Sequence, residues 1–284
     1  MPGPRRAMSM TAEPHAGPGL YRLLAWLSPN FPIGAFSYSH GLEAAVAGDA
    51  VCNSTSLQGW IAAVVAQGSG RMDADILCEA YRAAQNGHFA ALDAANRRGL
   101  AFRATAELAL ESTQQGEAFL ATCRAAWPEA FLEAWASRRG YPHPPAARAA
   151  GPPSPAMRAR VKARAVPDTL ARTAGEGAER SEAGEGVCHS AVFGAVAARA
   201  GIALTGALVG YLAALAANLV SAGLRLGIIG QTDGQRILAG LEPVVAHAAA
   251  AAMARDAADF GAATLAADLA SMAHESQYMR LFRS

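Results

Sequence analysis

Apolar residues recur at helical spacing along most of the chain, and short stretches rich in glycine, asparagine or proline separate the runs. This pattern is typical of amphipathic helices. β-branched runs and hairpin-type turn pairs are nearly absent, so the sequence offers little support for strands. We therefore predict an all-α fold, a single globular helical domain of about ten helices. After a first helix from residue 19, the predicted helices are 36–46, 57–67, 74–84, 89–100, 105–127, 131–137, 191–200, 204–226, 235–254 and 256–272.

Two stretches break the pattern and set the predicted domain boundaries. Residues 1–18 are rich in proline, glycine and arginine, and residues 140–186 are a low-complexity segment, basic in its first part and acidic in its second. With few large apolar side chains, neither can offset the entropy of ordering, so we predict a disordered N-terminus and a flexible insert. An RNA- or partner-binding arm is the alternative for the insert. The helical domain then consists of a first half, 19–139, and a second half, 187–272, followed by a C-terminal segment, 273–284.

Composition narrows the possible functions. The chain has 284 residues, 52% of them hydrophobic, and a formal net charge of +1, which argues against a general nucleic-acid or membrane-surface binder. Lys162 is the sole lysine, so a P-loop is excluded. The four cysteines form no Cys-x-x-Cys pair, and the first residues lack the apolar core of a secretory signal. We expect a cytoplasmic protein.

One uncharged stretch permits a second class of protein. No charged residue lies between Arg199 and Arg225, and Gly206 and Gly210 form a Gly-x-x-x-Gly pair. Small and polar residues fill much of this stretch, which favours a helix buried in a soluble core. An integral membrane protein using residues 200–224 is the alternative.

Side chains able to do chemistry are few and scattered. His40 and Glu43 lie three positions apart on one predicted helix and could share a metal, although a surface pair is the simpler interpretation. Cys188 and His189 are adjacent at the end of the insert, where an α-helical metal-dependent enzyme would have its site. No catalytic motif accompanies them, so we predict that the protein is not an enzyme and has no catalytic or metal-binding residues.

Local signals also suggest where two helices begin. Asp73 and Asp75 stand near a predicted helix start, where acidic residues are favoured by capping and by the helix dipole. Thr232 and Gln235 have the spacing of a capping box.

The block from Ser28 to Glu43 predicts a tight corner between two helices. Gly34 suits a left-handed turn. Gly41 lies inside the second predicted helix, where glycine costs about 1 kcal/mol relative to alanine, so a close helix–helix approach would explain it.

The C-terminal segment combines Tyr278, Leu281 and Phe282 with Arg280 and Arg283, without glycine or proline. Aromatic and arginine side chains are the usual anchors of protein interfaces. The segment therefore predicts a docking tail, with a last turn folded back on its own core as the alternative.

Several of these blocks, in this order, resemble the UreF family of urease accessory proteins. The likeness covers about residues 20–128 and 187–284. The blocks are Ser28-Pro…Pro32-Ile-Gly-Ala-Phe-Ser-Tyr-Ser-x-Gly-Leu-Glu43, Glu107…Glu111-Ser…Gly116, His189…Phe193-Gly194, Tyr211, Asn218-Leu-Val-Ser221, Arg225-Leu-Gly…Gly230-Gln-Thr-Asp-Gly-Gln235 and His274-Glu-x-Gln-Tyr-x-Arg-Leu-Phe-Arg-Ser284. The chain departs from the pattern at Ala191, where proline is common, and in its longer insert.

The resemblance implies an all-α chaperone for metallocentre assembly rather than an enzyme. Such a scaffold joins UreD (also called UreH) and the GTPase UreG to deliver nickel into apo-urease, and it forms a homodimer within the assembly. Nickel is then the cargo of the complex, no cofactor is bound tightly, and neither nucleic acid nor membrane is a partner.

By match to the family, the tail carries the partner-binding candidates, which are Gln277, Tyr278, Arg280, Leu281, Phe282 and Arg283. Arg225 and Gln231 are secondary partner-binding candidates. Tyr38 and Glu43 belong to the first block, and whether they contact a dimer mate or another partner is left open.

Overall fold

Helices provide all the regular secondary structure of the residues that the computed structural model describes, 18–140 and 186–284. The all-α prediction is confirmed for these residues. The predicted disordered N-terminus, 1–18, and flexible insert, 140–186, lie outside them except for their boundary residues 18, 140 and 186. Before the gap the α-helices are α1 (Pro18–Trp26), α2 (Leu42–Ala47), α3 (Ser54–Gln67), α4 (Ser69–Gln85), α5 (Phe89–Ala101), α6 (Ala106–Ala126) and α7 (Ala130–Arg138). After it come α8 (His189–Arg199), α9 (Leu204–Arg225), α10 (Gln231–Ala254) and α11 (Leu265–Glu275), and the short 3₁₀ helices are Ala35–Ser37 and Ala257–Asp259.

Helix α4 occupies the centre of the bundle and packs against α3, α5, α8, α9 and α10. Its closest neighbour is α8. A Cβ atom placed on Gly194 of α8 would lie only 2.5 Å from the carbonyl oxygen of Leu77, so the two backbones can approach only because this residue is glycine. One continuous hydrophobic cluster contains buried side chains from both halves of the chain. The residues before and after the gap therefore share one core.

The corner before α2 differs from its predicted form. The chain makes a 3₁₀ turn after Gly34, whose φ of 73° is the left-handed conformation expected there. Gly41 has a φ of 74° and forms the N-cap of α2, so it precedes the helix rather than lying inside it. The expected close approach is present, because a Cβ on Gly41 would lie 2.6 Å from the backbone nitrogen of Ser271 in α11.

The predicted capping box is wrong. Helix α10 begins at Gln231 with Gly230 as its N-cap, so Thr232 is already in the first turn, and no side chain caps the helix. A three-residue spacing alone does not locate a helix end, because the backbone before it must also be extended.

The interpretation of Asp73 and Asp75 as helix-start residues is also wrong. Helix α4 begins four residues earlier than Asp73, and both carboxylates are buried inside it. Asp73 pairs with Arg103 at 2.8 Å, and Asp75 pairs with Arg255. These aspartates join distant segments of the chain instead of capping a helix.

Helices α9 and α10 are both long and apolar enough to cross a membrane by length and composition alone. Core helices of soluble proteins pass the same test. Half of the most apolar window of α9 is buried, and this helix packs against α3, α4 and α10. This packing supports the interpretation of residues 204–225 as a core helix.

Candidate functional site

The last residues of the chain fold back on the corner that precedes α2. Helix α11 ends at Glu275, and the following residues, 276–284, form the segment that we call the tail. The backbone nitrogen of Arg283 donates to the carbonyl oxygen of Ser37 at 2.8 Å. The main-chain oxygen of Ser284 accepts from the backbone nitrogen of Ser39 at 2.6 Å and also from the Ser39 hydroxyl. These bonds use the main chain of the tail and fix its register.

The carboxylate of Glu43 holds the middle of the tail. Its two oxygens accept from consecutive backbone nitrogens, that of Leu281 at 2.7 Å and that of Phe282 at 2.9 Å. Glu43 also bonds to Nε2 of His274 at 3.1 Å. Burial alone would raise the pKa of the Glu43 carboxyl, but these three contacts lower it overall. Glu43 is therefore ionised at neutral pH and acts as a buried anchor for the tail.

A second acidic residue reinforces this arrangement. Glu107, in the first turn of α6, bonds to Nδ1 of His274 at 2.8 Å and to Arg280 of the tail at 2.6 Å. The fully buried imidazole of His274 thus lies between two carboxylates, those of Glu43 and Glu107. Each ring nitrogen of His274 therefore has one carboxylate partner.

Phe282 is the one large tail side chain that enters the fold. It is 4% exposed, and the guanidinium carbon of Arg225 lies 4.2 Å from the centre of its ring. Such a contact is a cation–π interaction. We call the surface that receives the tail, formed by Ser37, Ser39, Glu43 and Arg225, the tail groove.

The opposite side of the tail faces solvent. The exposed fractions are 100% for Tyr278, 79% for Met279 and 60% for Leu281. The tail is thus anchored through Phe282 and presents three apolar side chains outward. The folded-back alternative holds for Phe282, and docking of the tail on a partner stays a prediction. Met279 is missing from the predicted candidates, because the matched block treats its position as variable. Its apolar character next to Tyr278 was the signal that could have identified it.

The remaining tail candidates have intrachain contacts. Gln277 donates from its side-chain amide to the carbonyl oxygen of Met279 at 2.9 Å. Arg283 is exposed and its guanidinium lies 3.4 Å from Oε1 of Gln114. Arg225 belongs to the tail groove, whereas Gln231 is exposed at the start of α10, and no hydrogen bond joins it to the tail within 186–284.

Tyr38 is buried next to the tail groove. Its hydroxyl donates to Oε1 of Gln114 at 2.6 Å, and burial raises the pKa of this phenol. Of the two residues of unassigned role, Glu43 bonds to the tail directly, whereas Tyr38 bonds to Gln114, which also lies near Arg283. Direct contact of either residue with a second chain stays a prediction.

A separate polar cluster lies at the base of a cavity of about 380 Å³ between the corner and α9. Its buried ion pair is Asp73–Arg103, and Arg103 holds the pKa of Asp73 below its usual value although burial opposes ionisation. The hydroxyl of Tyr211 lies 3.3 Å from Oδ2 of Asp73 and 3.4 Å from Nδ1 of His189. Burial lowers the pKa of His189 to about 4, so this imidazole is neutral at physiological pH.

His40 belongs to this cluster rather than to a surface pair with Glu43. Its Nε2 lies 3.1 Å from Oε1 of Glu111, and its Nδ1 lies 3.3 Å from the hydroxyl of Ser69. Burial opposes the charged form, yet Glu111 raises the pKa of His40 above its ordinary value. The predicted surface pair is wrong, because both His40 and Glu43 are buried and each has other partners.

The adjacent Cys188 and His189 both border the Asp73–Arg103 cluster, but through different partners. The Cys188 thiol is buried and lies 3.2 Å from a guanidinium nitrogen of Arg103, whereas His189 packs against Phe119 and Tyr211. Across 18–140 and 186–284, no group of three His, Cys, Asp or Glu side chains is arranged to hold a metal ion. The geometry of these residues gives no support to a Cys–His catalytic pair.

Comparison with known sequences points to one family. The UreF family model matches residues 51–242. The chain is 39% identical over 265 residues to the urease accessory protein UreF of Rhodopseudomonas palustris (strain BisB18), covering 93% of this chain and 92% of that protein. It is 39% identical over 274 residues to the UreF of Azorhizobium caulinodans, covering 96% and 99%. The UreF of Granulibacter bethesdensis is 38% identical over 265 residues, with 93% and 94% covered.

Proposed function

The chain belongs to the UreF family of urease accessory proteins, and from this membership we propose that it acts in urease maturation as a non-catalytic scaffold. The proposed partners are UreD (UreH), the GTPase UreG and apo-urease, with nickel as cargo rather than as a tightly bound cofactor. We further propose that the protein is cytoplasmic and forms a homodimer within the assembly.

The observation that carries this proposal is the tail surface. Tyr278, Met279 and Leu281 expose large apolar side chains next to one another, on a segment that main-chain bonds and Glu43 hold in place. A rigid, exposed aromatic and aliphatic cluster is the kind of anchor that dominates binding energy at protein interfaces. An ordered segment also costs less entropy to bind than a disordered one. We propose that this cluster contacts UreD.

Substitution at Tyr278 tests this assignment. Tyr278 is fully exposed, so Tyr278→Ala should leave the melting temperature of the isolated protein unchanged. If its ring is an interface anchor, the affinity for UreD should fall by about 30-fold, the equivalent of about 2 kcal/mol. Calorimetric titration against purified UreD measures this, with urease activation in cells as a second readout.

Tyr21 provides the matched control, because it is an exposed tyrosine on α1 and does not belong to the tail. Tyr21→Ala should retain wild-type affinity for UreD. Wild-type affinity in Tyr278→Ala, or equal losses in the two variants, would reject the tail as the UreD-binding surface.

Cell fractionation tests the alternative that the protein is an integral membrane protein, which the length and composition of helices α9 and α10 permit. We expect the protein in the soluble fraction without detergent. Recovery only from membranes would replace the scaffold proposal with that alternative.

A further inference from the structure

Three buried polar atoms line the cavity between the corner and α9 without satisfying their hydrogen-bonding capacity. They are Nε1 of Trp26, Oε2 of Glu111 and Nε2 of His189, and none of them has a partner among the residues that the structure describes. Buried polar groups in folded proteins are nearly always hydrogen-bonded, because leaving one unpaired costs free energy. Three such atoms in one cavity therefore indicate a place where a ligand binds.

The cavity has the size and the walls of a small-molecule site. Its volume is about 380 Å³, whereas a water molecule takes up about 30 Å³ in the liquid. The side chains of Phe31, Phe193 and Leu215 give it apolar walls above the polar cluster, and Phe36, which is exposed, also lines it. Small-molecule pockets usually combine such apolar walls with a few polar groups that orient the ligand. The cavity is therefore suited to an organic molecule with a polar head.

The hydrogen bonds around His189 make its Nε2 an acceptor. Asp73 is ionised, since Arg103 holds its pKa below the usual value despite burial, so its carboxylate only accepts. The hydroxyl of Tyr211 must then donate its one hydrogen to Asp73 and accept from Nδ1–H of His189. Because the imidazole of His189 is neutral, it carries a single N–H group. The lone pair of Nε2 is therefore free to accept a hydrogen bond from a ligand.

Glu111 supplies a second acceptor, and Trp26 supplies a donor. Oε1 of Glu111 takes both side-chain contacts of this carboxylate, with Nε2 of His40 at 3.1 Å and with the side-chain amide of Gln115 at 2.7 Å. Its Oε2 is left to accept from a ligand. The indole nitrogen of Trp26 can only donate. The unpartnered atoms of the cavity thus require a ligand with two donors and one acceptor.

The charges at the base of the cavity favour a neutral ligand. Asp73 already pairs with Arg103 at 2.8 Å, and Glu111 already contacts His40. An additional charge would be buried without a counter-charge of its own, which is unfavourable in a site with apolar walls.

A primary carboxamide satisfies all of these requirements. Its NH₂ group has two donors and its carbonyl oxygen is an acceptor, and the group carries no net charge. We propose that the cavity binds a neutral small molecule that has a primary carboxamide head on an apolar body. The NH₂ group donates to Glu111 and His189, the carbonyl oxygen accepts from the indole N–H of Trp26, and the apolar body lies against the walls.

Three compounds of the same size test the ligand class on the full wild-type chain. Benzamide has the carboxamide head, benzoate has two acceptors and a negative charge, and benzamidine has only donors and a positive charge at neutral pH. Titration followed by NMR should show binding of benzamide, with benzoate and benzamidine weaker by about tenfold or more. No binding of benzamide up to about 10 mM, or binding of either ion as tight as that of benzamide, would overturn the proposal.

Two conservative tryptophan variants locate the site. Trp26→Phe keeps an aromatic ring and removes the indole N–H, so the affinity for benzamide should fall by about tenfold. Trp60→Phe is the matched control, because Nε1 of Trp60 is likewise buried without a partner in the described part of the chain, but Trp60 does not line the cavity. This control should bind benzamide as wild type does. Equal losses in the two variants, or wild-type affinity in Trp26→Phe, would contradict the proposed site.

A variant that fills the cavity keeps the test decisive if Trp26→Phe does not fold. Leu215 lines the cavity and is partly exposed, so Leu215→Trp can place a larger side chain there without entering the packed core. Benzamide binding should be lost in this variant, and retained binding would show that benzamide binds elsewhere. The assay contains neither UreD nor nickel, so its result and that of Tyr278→Ala are independent of each other.

Discussion

A single carboxylate organises the tail because three donors converge on it. Because the pKa of Glu43 is lowered, its carboxylate is ionised at neutral pH and contributes fully to tail docking there. Since the ordinary pKa of glutamate is about 4.3, docking weakens as the pH falls below that value and is lost as it passes the lower pKa of the docked state. The sequence placed Glu43 on a predicted helix near His40. It could not show that His274 and Leu281, which lie 231 and 238 positions further along the chain, bond to Glu43.

His189 gives a residue-level prediction of the same pH sign, in a higher pH window than that of Glu43. An unfolded histidine has a pKa near 6.5, whereas burial lowers that of His189 to about 4. Between these values the unfolded chain binds a proton that the folded protein does not, so stability falls as the pH falls, by at most about 1.4 kcal/mol per pH unit. In His189→Gln the loss of unfolding free energy between pH 6.5 and 4.5 should be smaller by on the order of 2 kcal/mol.

Urea denaturation at the two pH values measures this difference. His247, which is exposed on α10, supplies the control, and His247→Gln should keep the wild-type pH dependence. An unchanged pH dependence in His189→Gln would mean that His189 is protonated in the folded protein.

Two leucines of α9 test the burial assigned to this helix. Leu212 is fully buried, whereas Leu215 is partly exposed and lines the cavity. Leu212→Ala should cost about 2–5 kcal/mol of unfolding free energy, because it opens a void in a packed region. Leu215→Ala should cost clearly less, since its site already borders open space. Denaturant titration measures the loss of unfolding free energy in each variant. Equal losses would contradict the different burial of the two residues.

At the scale of elements, the sequence predicted the presence of most helices correctly, but it predicted their ends less well. The apolar repeat located α3 to α7 and α9 because each buries one stripe of side chains. The start of α4 was missed because Ser69 and Gly70 are weak helix formers, and tertiary packing overrides their propensity: a Cβ on Gly70 would lie 2.8 Å from Cα of Val65.

The closest helix pair, α4 and α8, can be tested at its contact glycine. Gly194→Ala would place a methyl group 2.5 Å from a backbone oxygen of Leu77, so the helices must separate. We expect a loss of about 1–3 kcal/mol in unfolding free energy, the usual cost of overpacking.

Gly206 in α9 is the matched control, because a Cβ there meets no atom within 4 Å. Gly206→Ala should raise stability by roughly 0.5–1 kcal/mol, as expected for a glycine replaced inside a helix. Thermal and denaturant unfolding of the two variants measures both changes in stability, the expected loss in Gly194→Ala and the expected gain in Gly206→Ala. A Gly194→Ala protein as stable as wild type would show that the α4–α8 contact is wider than described.

At the scale of the whole molecule, the sequence indicated one helical domain in two halves, and the shared hydrophobic cluster agrees with it. What the sequence could not supply were the long-range ion pairs, because charge partners such as Asp75 and Arg255 carry no pattern that links them. For the same reason, the sequence predicted that the tail carries interface anchors, but it could not show that Phe282 is buried while other residues of the tail are exposed.

The two chain ends at the gap lead to a prediction about the whole fold. Arg139 donates from its guanidinium to the carbonyl oxygen of Gly186 at 3.0 Å, so the chain leaves and re-enters the described fold at neighbouring points. A short connection can therefore bridge them. If residues 141–185 contribute no packing, an eight-residue Gly-Ser linker in their place should stabilise the protein by on the order of 1 kcal/mol, because each halving of loop length lowers the closure cost by about 0.6 kcal/mol.

Thermal unfolding of this shortened chain, beside a control with the same number of Gly-Ser residues as the natural segment, measures the effect. The short linker should melt at or slightly above the natural protein, and the long linker should melt close to it. A fall in melting temperature with both linkers would show that residues 141–185 pack on the helical domain. A fall with the short linker alone would show that the two ends need more room than the Arg139–Gly186 contact implies.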